Sequence, residues 1–294
     1  MPHARVNGLD IYHESFGDPA DPTLALVPGL GTQAVEWDAE LCGLIAEAGF
    51  HVVRFDNRDV GLSTHLDDQV VDVMAVFSAV AAGEGPQVPY LLSDMATDVA
   101  GLLDHLGVER AHICGMSMGG MIAQTTAIEY PDRVLSLTSI MSTTGDPDVG
   151  TPSSEAMGAL LAPPATTRDE AGDHKVHHAH VWGSPAFVDE ARLRRLGAEL
   201  FDRAHDPRGT ARQLAAVVAS GSRSEALATL EVPTLVIHGT EDRLVDRSGG
   251  ERTAEVVPDA KLLLVEGMGH DLPPQLWPLL ADAVVAHMSE NPGA

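Results

Sequence analysis

Cysteine is nearly missing from this chain. Only Cys42 and Cys114 occur among its 294 residues. Two scattered cysteines make neither a disulfide framework nor a zinc-ligand set. Both sit in apolar or helical patterns, as small core residues do. Basic residues are also scarce. Lysine occurs only as Lys175 and Lys261, and 18 Lys+Arg face 43 Asp+Glu, for a formal net charge of −25. So acidic a chain is repelled by nucleic acid and by anionic membrane surfaces, and neither is expected as a partner. No apolar run reaches the roughly 18 residues of a membrane span. The opening Met1-Pro2-His3-Ala4-Arg5 runs straight into a polar–apolar alternation instead of a charged start and an apolar signal core, so a soluble cytoplasmic protein is expected. There is no internal repeat and no low-complexity tail.

What is present is a regular alternation of strands and helices. Hydrophobic residues make up 44% of the chain, enough for one large α/β domain with a sizeable core. Residues 4–16 read as two strands joined at Asn7-Gly8. Residues 23–27 are a continuous apolar run, as in a central parallel strand. Residues 35–48 carry apolar positions at helical spacing, and 51–55 are the next strand. A mixed helical and loop stretch covers 66–89. Ser93 or Asp94 is expected to cap a helix that runs to about Leu106 and stops at Gly107. Further strands are expected at 134–140, 234–238 and 261–265, with helices near 247–257 and 275–288. Such alternation predicts a parallel sheet covered by helices on both faces.

The most informative stretch is Gly115-Met116-Ser117-Met118-Gly119. An apolar run precedes it and good helix formers follow. Gly-x-Ser-x-Gly in a strand–turn–helix context is a nucleophile elbow, in which the serine oxygen projects from a turn too tight for side chains at the glycines. A serine hydroxyl needs a base within hydrogen-bond reach, and the base needs an acid to fix its tautomer. Asp242 follows the strand at 234–238, and His270 follows the strand at 261–265. The order Ser117, Asp242, His270 is nucleophile, acid, histidine. Asp246 lies close to Asp242, and Asp146, after the strand at 134–140, is an alternative carboxylate. The oxyanion hole needs two donors. The backbone N–H of Met118 is one candidate, and that of Leu30, in the flexible Gly29-Leu30-Gly31 turn, is the other.

Together Pro28-Gly29-Leu30-Gly31, Asp56-x-Arg58-x-x-Gly61-x-Ser63, the elbow, His238-Gly239-Thr240-Glu241-Asp242 and Gly267-Met268-Gly269-His270 resemble the α/β-hydrolase superfamily. The match covers about 20–142 and 230–288. Within it the chain is similar to bacterial esterases of the aclacinomycin methylesterase type, through Phe16-Gly17-Asp18-Pro19 and the Asp56-x-Arg58-Asp59-x-Gly61 loop. Pro28 stands where many relatives carry His. The resemblance implies a mostly parallel eight-stranded sheet flanked by helices, with 1–142 and 230–294 as the core domain.

Residues 143–229 break the alternation. They are Pro- and Gly-punctuated, otherwise Ala-, Leu- and Arg-rich, and contain no strand pattern, so they read as a helical lid inserted over the serine. Met116, Leu160, Leu161 and Trp182 are candidates for an apolar substrate pocket. His174, His177, His178 and His180 surround Lys175, but no cysteine or close carboxylate set accompanies them, and an exposed lid helix is expected, not a metal site. Arg58 and Asp56 read as a buried structural pair. The expected activity is cleavage of a small hydrophobic carboxylic ester through an acyl-enzyme, with no metal or cofactor. The same triad also serves lactonases, carbon–carbon bond hydrolases and cofactor-free perhydrolases. A non-catalytic receptor on this fold would usually lack a triad residue.

Overall fold

The computed structural model describes residues 3–292. Residues 1–2 and 293–294, the outer ends of the predicted core spans, lie outside the described residues. The chain opens with β1 (His3–Val6) and β2 (Leu9–Phe16), an antiparallel hairpin. Its turn residues Asn7 and Gly8 both take positive φ, 52° and 82°, the conformation a two-residue hairpin turn demands. There follow β3 (Thr23–Val27), α1 (Ala39–Glu47), β4 (His51–Phe55), α2 (Val73–Ala81) and α3 (Leu92–His105), then β5 (Ala111–Met116), α4 (Met118–Glu129) and β6 (Val134–Ile140).

The strand order is β1-β2-β4-β3-β5-β6, continuing into β7 (Thr234–Gly239) and β8 (Lys261–Val265). Only β1 and β2 run antiparallel to their neighbours. β3 and β4 are buried along their whole length, because helices cover both faces. The pleat divides their side chains by a period of two. Ala25, Val27, Val53 and Phe55 pack with Leu92, Met95 and Val99 of α3 and with Ile122 of α4. Leu24, Leu26 and Val52 pack on the other face with Leu41 and Ile45 of α1. Leu280 and Val284 of α11 (Trp277–Ser289) complete that layer.

Five helices fall between β6 and β7: α5 (Ser154–Leu160), α6 (Arg168–Trp182), α7 (Glu190–Arg203), α8 (Pro207–Ser220) and α9 (Ser224–Leu227). The remaining helix, α10 (Ser248–Val256), links β7 to β8. No helix among the described residues is long and apolar enough to cross a membrane.

Two helix starts differ from expectation. The 35–48 pattern splits into a 3-10 turn at Ala34–Glu36 and α1, because the Asp38 carboxylate accepts the N–H of Glu40 at 3.0 Å and starts a new helix there. α3 begins one residue before Ser93. Asp94 lies within its first turn, and its carboxylate reaches back to the N–H of Leu91 at 2.8 Å. It thereby satisfies an unpaired donor from inside the helix.

Candidate active site

Ser117 sits between β5 and α4 with φ 56° and ψ −124°. A non-glycine residue at positive φ costs of order 1–3 kcal/mol and persists only where its surroundings impose it. Those surroundings are backbone. A Cβ on Gly115 would lie 2.0 Å from the carbonyl oxygen of Gly119, and a Cβ on Gly119 would lie 2.1 Å from that of Val27. Ser117 N–H donates to the Ile140 carbonyl at 2.9 Å, and the Ser142 hydroxyl donates to the Ser117 carbonyl at 2.8 Å. The turn is thus held on both sides while the serine hydroxyl stays free to project.

His270 Nε2 lies 2.9 Å from Ser117 Oγ, and His270 Nδ1 lies 2.7 Å from Asp242 Oδ2. The carboxylate accepts a hydrogen bond from Nδ1–H, which keeps the proton on Nδ1 and leaves Nε2 as the acceptor facing the serine. Asp242 is itself fixed. Its Oδ1 accepts the N–H groups of Leu244 and Val245 at 2.9 and 2.8 Å. His238 Nε2, which donates to the Val245 carbonyl at 2.9 Å, lies 3.4 Å from Asp242 Oδ2. Burial pushes the Asp242 acid up, but the charge of His270 and the hydrogen bonds from His238 and His270 outweigh that and hold it down at about 2. The His270 loop is tied to the end of α6. His270 N–H donates to the Trp182 carbonyl at 2.6 Å, and Gly269 N–H donates to Ser184 Oγ at 2.9 Å. Ser184 in turn donates its hydroxyl to Asp271, whose acid burial pushes up.

The 28–32 turn passes directly over the serine, and a Cβ on Gly29 would stand 3.3 Å from that of Ser117. Among the described residues the N–H groups of Leu30 and Met118 have no protein acceptor. A cavity of about 770 Å³ opens above, walled by Leu30, Met118 and His270 together with Met116, Leu160, Leu161 and Trp182. All four candidate pocket residues therefore line the same cavity. His174, Lys175 and His178 also face this cavity, and the His178 ring stacks on Trp182 at 4.3 Å between centroids. Burial, helped by Lys175, keeps His178 neutral down to about 4. The α6 face is therefore part of the cavity wall and not simply an exposed lid surface. Among the described residues no three His, Cys, Asp or Glu side chains are grouped to hold a metal ion.

Two expectations need correction. Arg58 and Asp56 do not pair. Arg58 forms a two-toothed ion pair with Asp98 of α3 at 2.6 and 2.8 Å. Asp56 accepts from Ala34 N–H, Leu62 N–H and Arg203 of α7 at 2.6, 2.8 and 2.8 Å. β4 ends at Phe55 and the chain turns at Arg58 and Asp59, the latter at φ 68°, so the Asp56 and Arg58 side chains find partners on different layers. Asp146, the alternative acid, lies in a network of its own with Ser222, Ser224 and Arg252, the last at 2.8 Å. Asp246 accepts Ser248 N–H at 3.1 Å.

The sequence reading missed Arg212 and Gln213 of α8. Arg212 pairs with Asp59 at 2.9 and 2.7 Å. Gln213 Oε1 accepts Gly31 N–H at 2.8 Å, and its Nε2 donates to the Arg58 carbonyl at 2.7 Å. Their signal was positional. Gly209, Arg212, Gln213 and Ala216 form the buried stripe of α8, and two polar residues on a helix's buried face demand partners.

A protein-family model described as alpha/beta hydrolase fold matches residues 22–274. Rhodomycin D methylesterase DauP of Streptomyces sp. (strain C5) is 30% identical over 301 residues, covering 95% of each chain. A 2-hydroxy-6-oxononadienedioate/2-hydroxy-6-oxononatrienedioate hydrolase of Burkholderia vietnamiensis is 32% identical over 267 residues, 89% of this chain and 85% of that one. Among solved structures, the enol-lactonase from Burkholderia xenovorans LB400 aligns with a TM-score of 0.75 at 23% identity, over 98% of this chain and 100% of the other. At that identity the likeness speaks for the fold.

Proposed function

The chain belongs to the α/β-hydrolase family, and from that premise we propose that it hydrolyses carboxylic esters of small, largely hydrophobic molecules through an acyl-enzyme. The observation that carries this reading is the His270 imidazole, 2.9 Å from Ser117 Oγ on one side and 2.7 Å from Asp242 on the other. Ser117 Oγ attacks the ester carbonyl carbon while His270 Nε2 takes its proton. The carbonyl oxygen becomes an oxyanion facing the N–H groups of Leu30 and Met118. Collapse of the tetrahedral intermediate breaks the bond to the alcohol, which leaves with the proton from His270. Water then gives a proton to His270 and attacks the acyl carbon. The acid is released, and the proton returns to Ser117. Asp242 stays ionised throughout and stabilises the imidazolium.

In this reading residues 143–229 form a cap over the cavity, and 1–142 with 230–294 form the catalytic core. Support comes from the cavity wall, which mixes core residues such as Met116 with insertion residues such as Leu160 and Trp182. The two free, buried cysteines suit the reducing setting of a cytoplasmic enzyme. The test is a serine-directed phosphonate. It should label Ser117 in the native protein, and Ser117→Ala should lower turnover of a p-nitrophenyl ester by several orders of magnitude, leaving only binding and oxyanion contributions. Near-normal turnover in a folded Ser117→Ala protein would eliminate the mechanism. The 32% identity to a hydrolase named for a 2-hydroxy-6-oxo dienedioate favours carbon–carbon bond cleavage as a second reading. A screen of esters and lactones against such diketo acids separates the two.

A further inference from the structure

The turn that faces Ser117 is clamped from outside the core, and the clamp comes from the insertion. Four contacts define the peptide planes of 28–32, the longest being the Thr32 hydroxyl on the Leu30 carbonyl at 3.3 Å. The Pro28 carbonyl accepts from Asn57 Nδ2 at 3.0 Å. The Gly29 carbonyl accepts Thr32 N–H at 3.2 Å. Gly31 N–H donates to Gln213 Oε1 at 2.8 Å. The Gly29 carbonyl and the Leu30 N–H belong to one planar peptide unit and point in opposite directions. Fixing the carbonyl inside the turn therefore turns the N–H outward, towards the space above the serine. That holds while the planes on either side are fixed, one by Asn57 and the other by Gln213 at 2.8 Å, a closer contact than the Thr32 hydroxyl makes on the same unit.

Gln213 is placed for this task. It is completely buried on α8, and both ends of its amide are used, one on Gly31 and one on the Arg58 carbonyl. A buried amide with all its weight on two backbone groups costs conformational freedom and desolvation that an apolar side chain would not. The helix that carries it cannot drift. A Cβ on Gly209 would stand 1.9 Å from the Asp59 carbonyl oxygen, so α8 rests backbone to backbone on the β4 loop. Arg212, beside Gln213, is locked on Asp59, which also accepts the Tyr90 hydroxyl at 2.7 Å. Thr210 closes the other side, 2.9 Å from where a Cβ on Gly31 would lie, and Gly31 itself has φ +63°.

We infer that Gln213 is a positioning residue for the oxyanion hole: the insertion supplies, through α8, the contact that aims the Leu30 N–H. This rests on the reading of Ser117 and Leu30 given under Proposed function. An interaction of this kind matters when the oxyanion forms and little when the neutral substrate binds. Gln213→Met keeps the side-chain length and removes both hydrogen bonds. Gln213→Glu, which so buried a site favours in its neutral form, keeps an oxygen for Gly31 N–H and an O–H for the Arg58 carbonyl. On a small activated ester, Gln213→Met is expected to lower kcat tenfold or more with KM changed less than about threefold, a split read as a loss confined to the transition state. A boronic acid that forms a tetrahedral adduct should lose affinity in parallel, and Gln213→Glu should recover most of both.

Unchanged kcat and boronate affinity in a folded Gln213→Met protein overturn the inference. So does a loss that Gln213→Glu shares equally, since that marks a packing role. If Gln213→Met does not fold, amide hydrogen exchange of the native protein decides. The Gly31 N–H should exchange no faster than the amides of α8, and much faster exchange overturns the inference. Phosphonate labelling of the native protein is read first. Its failure removes the proposed mechanism, whereas labelling with an indifferent Gln213→Met removes only the role of Gln213.

Discussion

Asp242 and Asp146 are both carboxylates near strand ends, and both acids are held at about 2, but their partners differ in kind. Asp242 faces His270 and is fixed by two backbone N–H groups of its own loop. Asp146 faces Arg252, Ser222 and Ser224 and, among the described residues, hydrogen-bonds no histidine. A triad acid must hold one imidazole in one orientation through the whole cycle. Asp242→Asn is therefore expected to collapse turnover by several orders of magnitude. Asp146→Asn should change it less than about tenfold, or about 1.4 kcal/mol of barrier, and should instead lower the melting temperature. Kinetics of both variants on one p-nitrophenyl ester check this. A crippled Asp146→Asn beside an active Asp242→Asn would reverse the assignment. Ser117, Asp242 and His270 were legible because each follows a strand, in the order that the topology of this fold imposes. The partners of Arg58, Asp56 and Asp59 were not, since each pair joins residues from separate layers of the fold.

The insertion is tied to the core unevenly from one element to the next. α8 and the end of α7 are riveted by buried contacts: Arg212 on Asp59, Arg203 on Asp56, and Gln33 Nε2 on the carbonyls of Leu200 and Ala204 at 2.8 and 2.9 Å. Removing one partner of a buried pair typically costs 3–5 kcal/mol. Along the rest of α6 and α7 the ties are half-exposed ion pairs, Lys175 with Glu36 and Arg192 with Asp38, until the end of α6, where the Trp182 carbonyl accepts His270 N–H at 2.6 Å. Such pairs contribute about 0–1 kcal/mol each. Leu160 and Leu161 at the end of α5 and Trp182 at the end of α6 reach the cavity. Trimming these to Ala should alter the preference for bulky over small esters several-fold while leaving a small activated ester within about threefold, since roughly 1–3 kcal/mol is at stake per pocket group. Equal effects on both ester classes would show that these residues act on catalysis rather than on fit. The strand–helix alternation of the core was readable from periodicity, but this division was not, because it depends on which insertion residues reach the buried carboxylates of another loop.

At the scale of the whole molecule the titrating groups pull stability in two separate pH windows. Burial lowers the acids of His13, His51, His112, His178 and His287, with His112 and His178 brought to about 4. His112 is 1% exposed on β5, with Nδ1 on Ser136 Oγ at 2.8 Å and Nε2 without a partner, so burial, reinforced by His287, denies it a proton. The unfolded chain accepts that proton near pH 6.5 and the native one only near 4. The unfolded state thus binds more protons between those values, and stability falls as pH drops from about 6.5 to about 4, then levels. Asp242 and Asp146 act lower down. Their acids are depressed, so their contribution is complete above the usual 3.8 and is lost only as pH falls towards 2. The net charge of −25 works against the histidine effect, because proton uptake relieves repulsion in the compact state. Salt at about 1 M shortens the screening length to about 3 Å and suppresses that term while barely touching buried groups. In urea titrations at high salt, each of His112 and His178 should therefore remove about 2 kcal/mol between pH 7 and pH 5. His112→Asn keeps a partner for Ser136 and no longer titrates. It should be less stable at pH 7 yet lose correspondingly less between pH 7 and pH 5. An unaltered slope in that variant would mean that His112 takes up its proton in the native state without resistance.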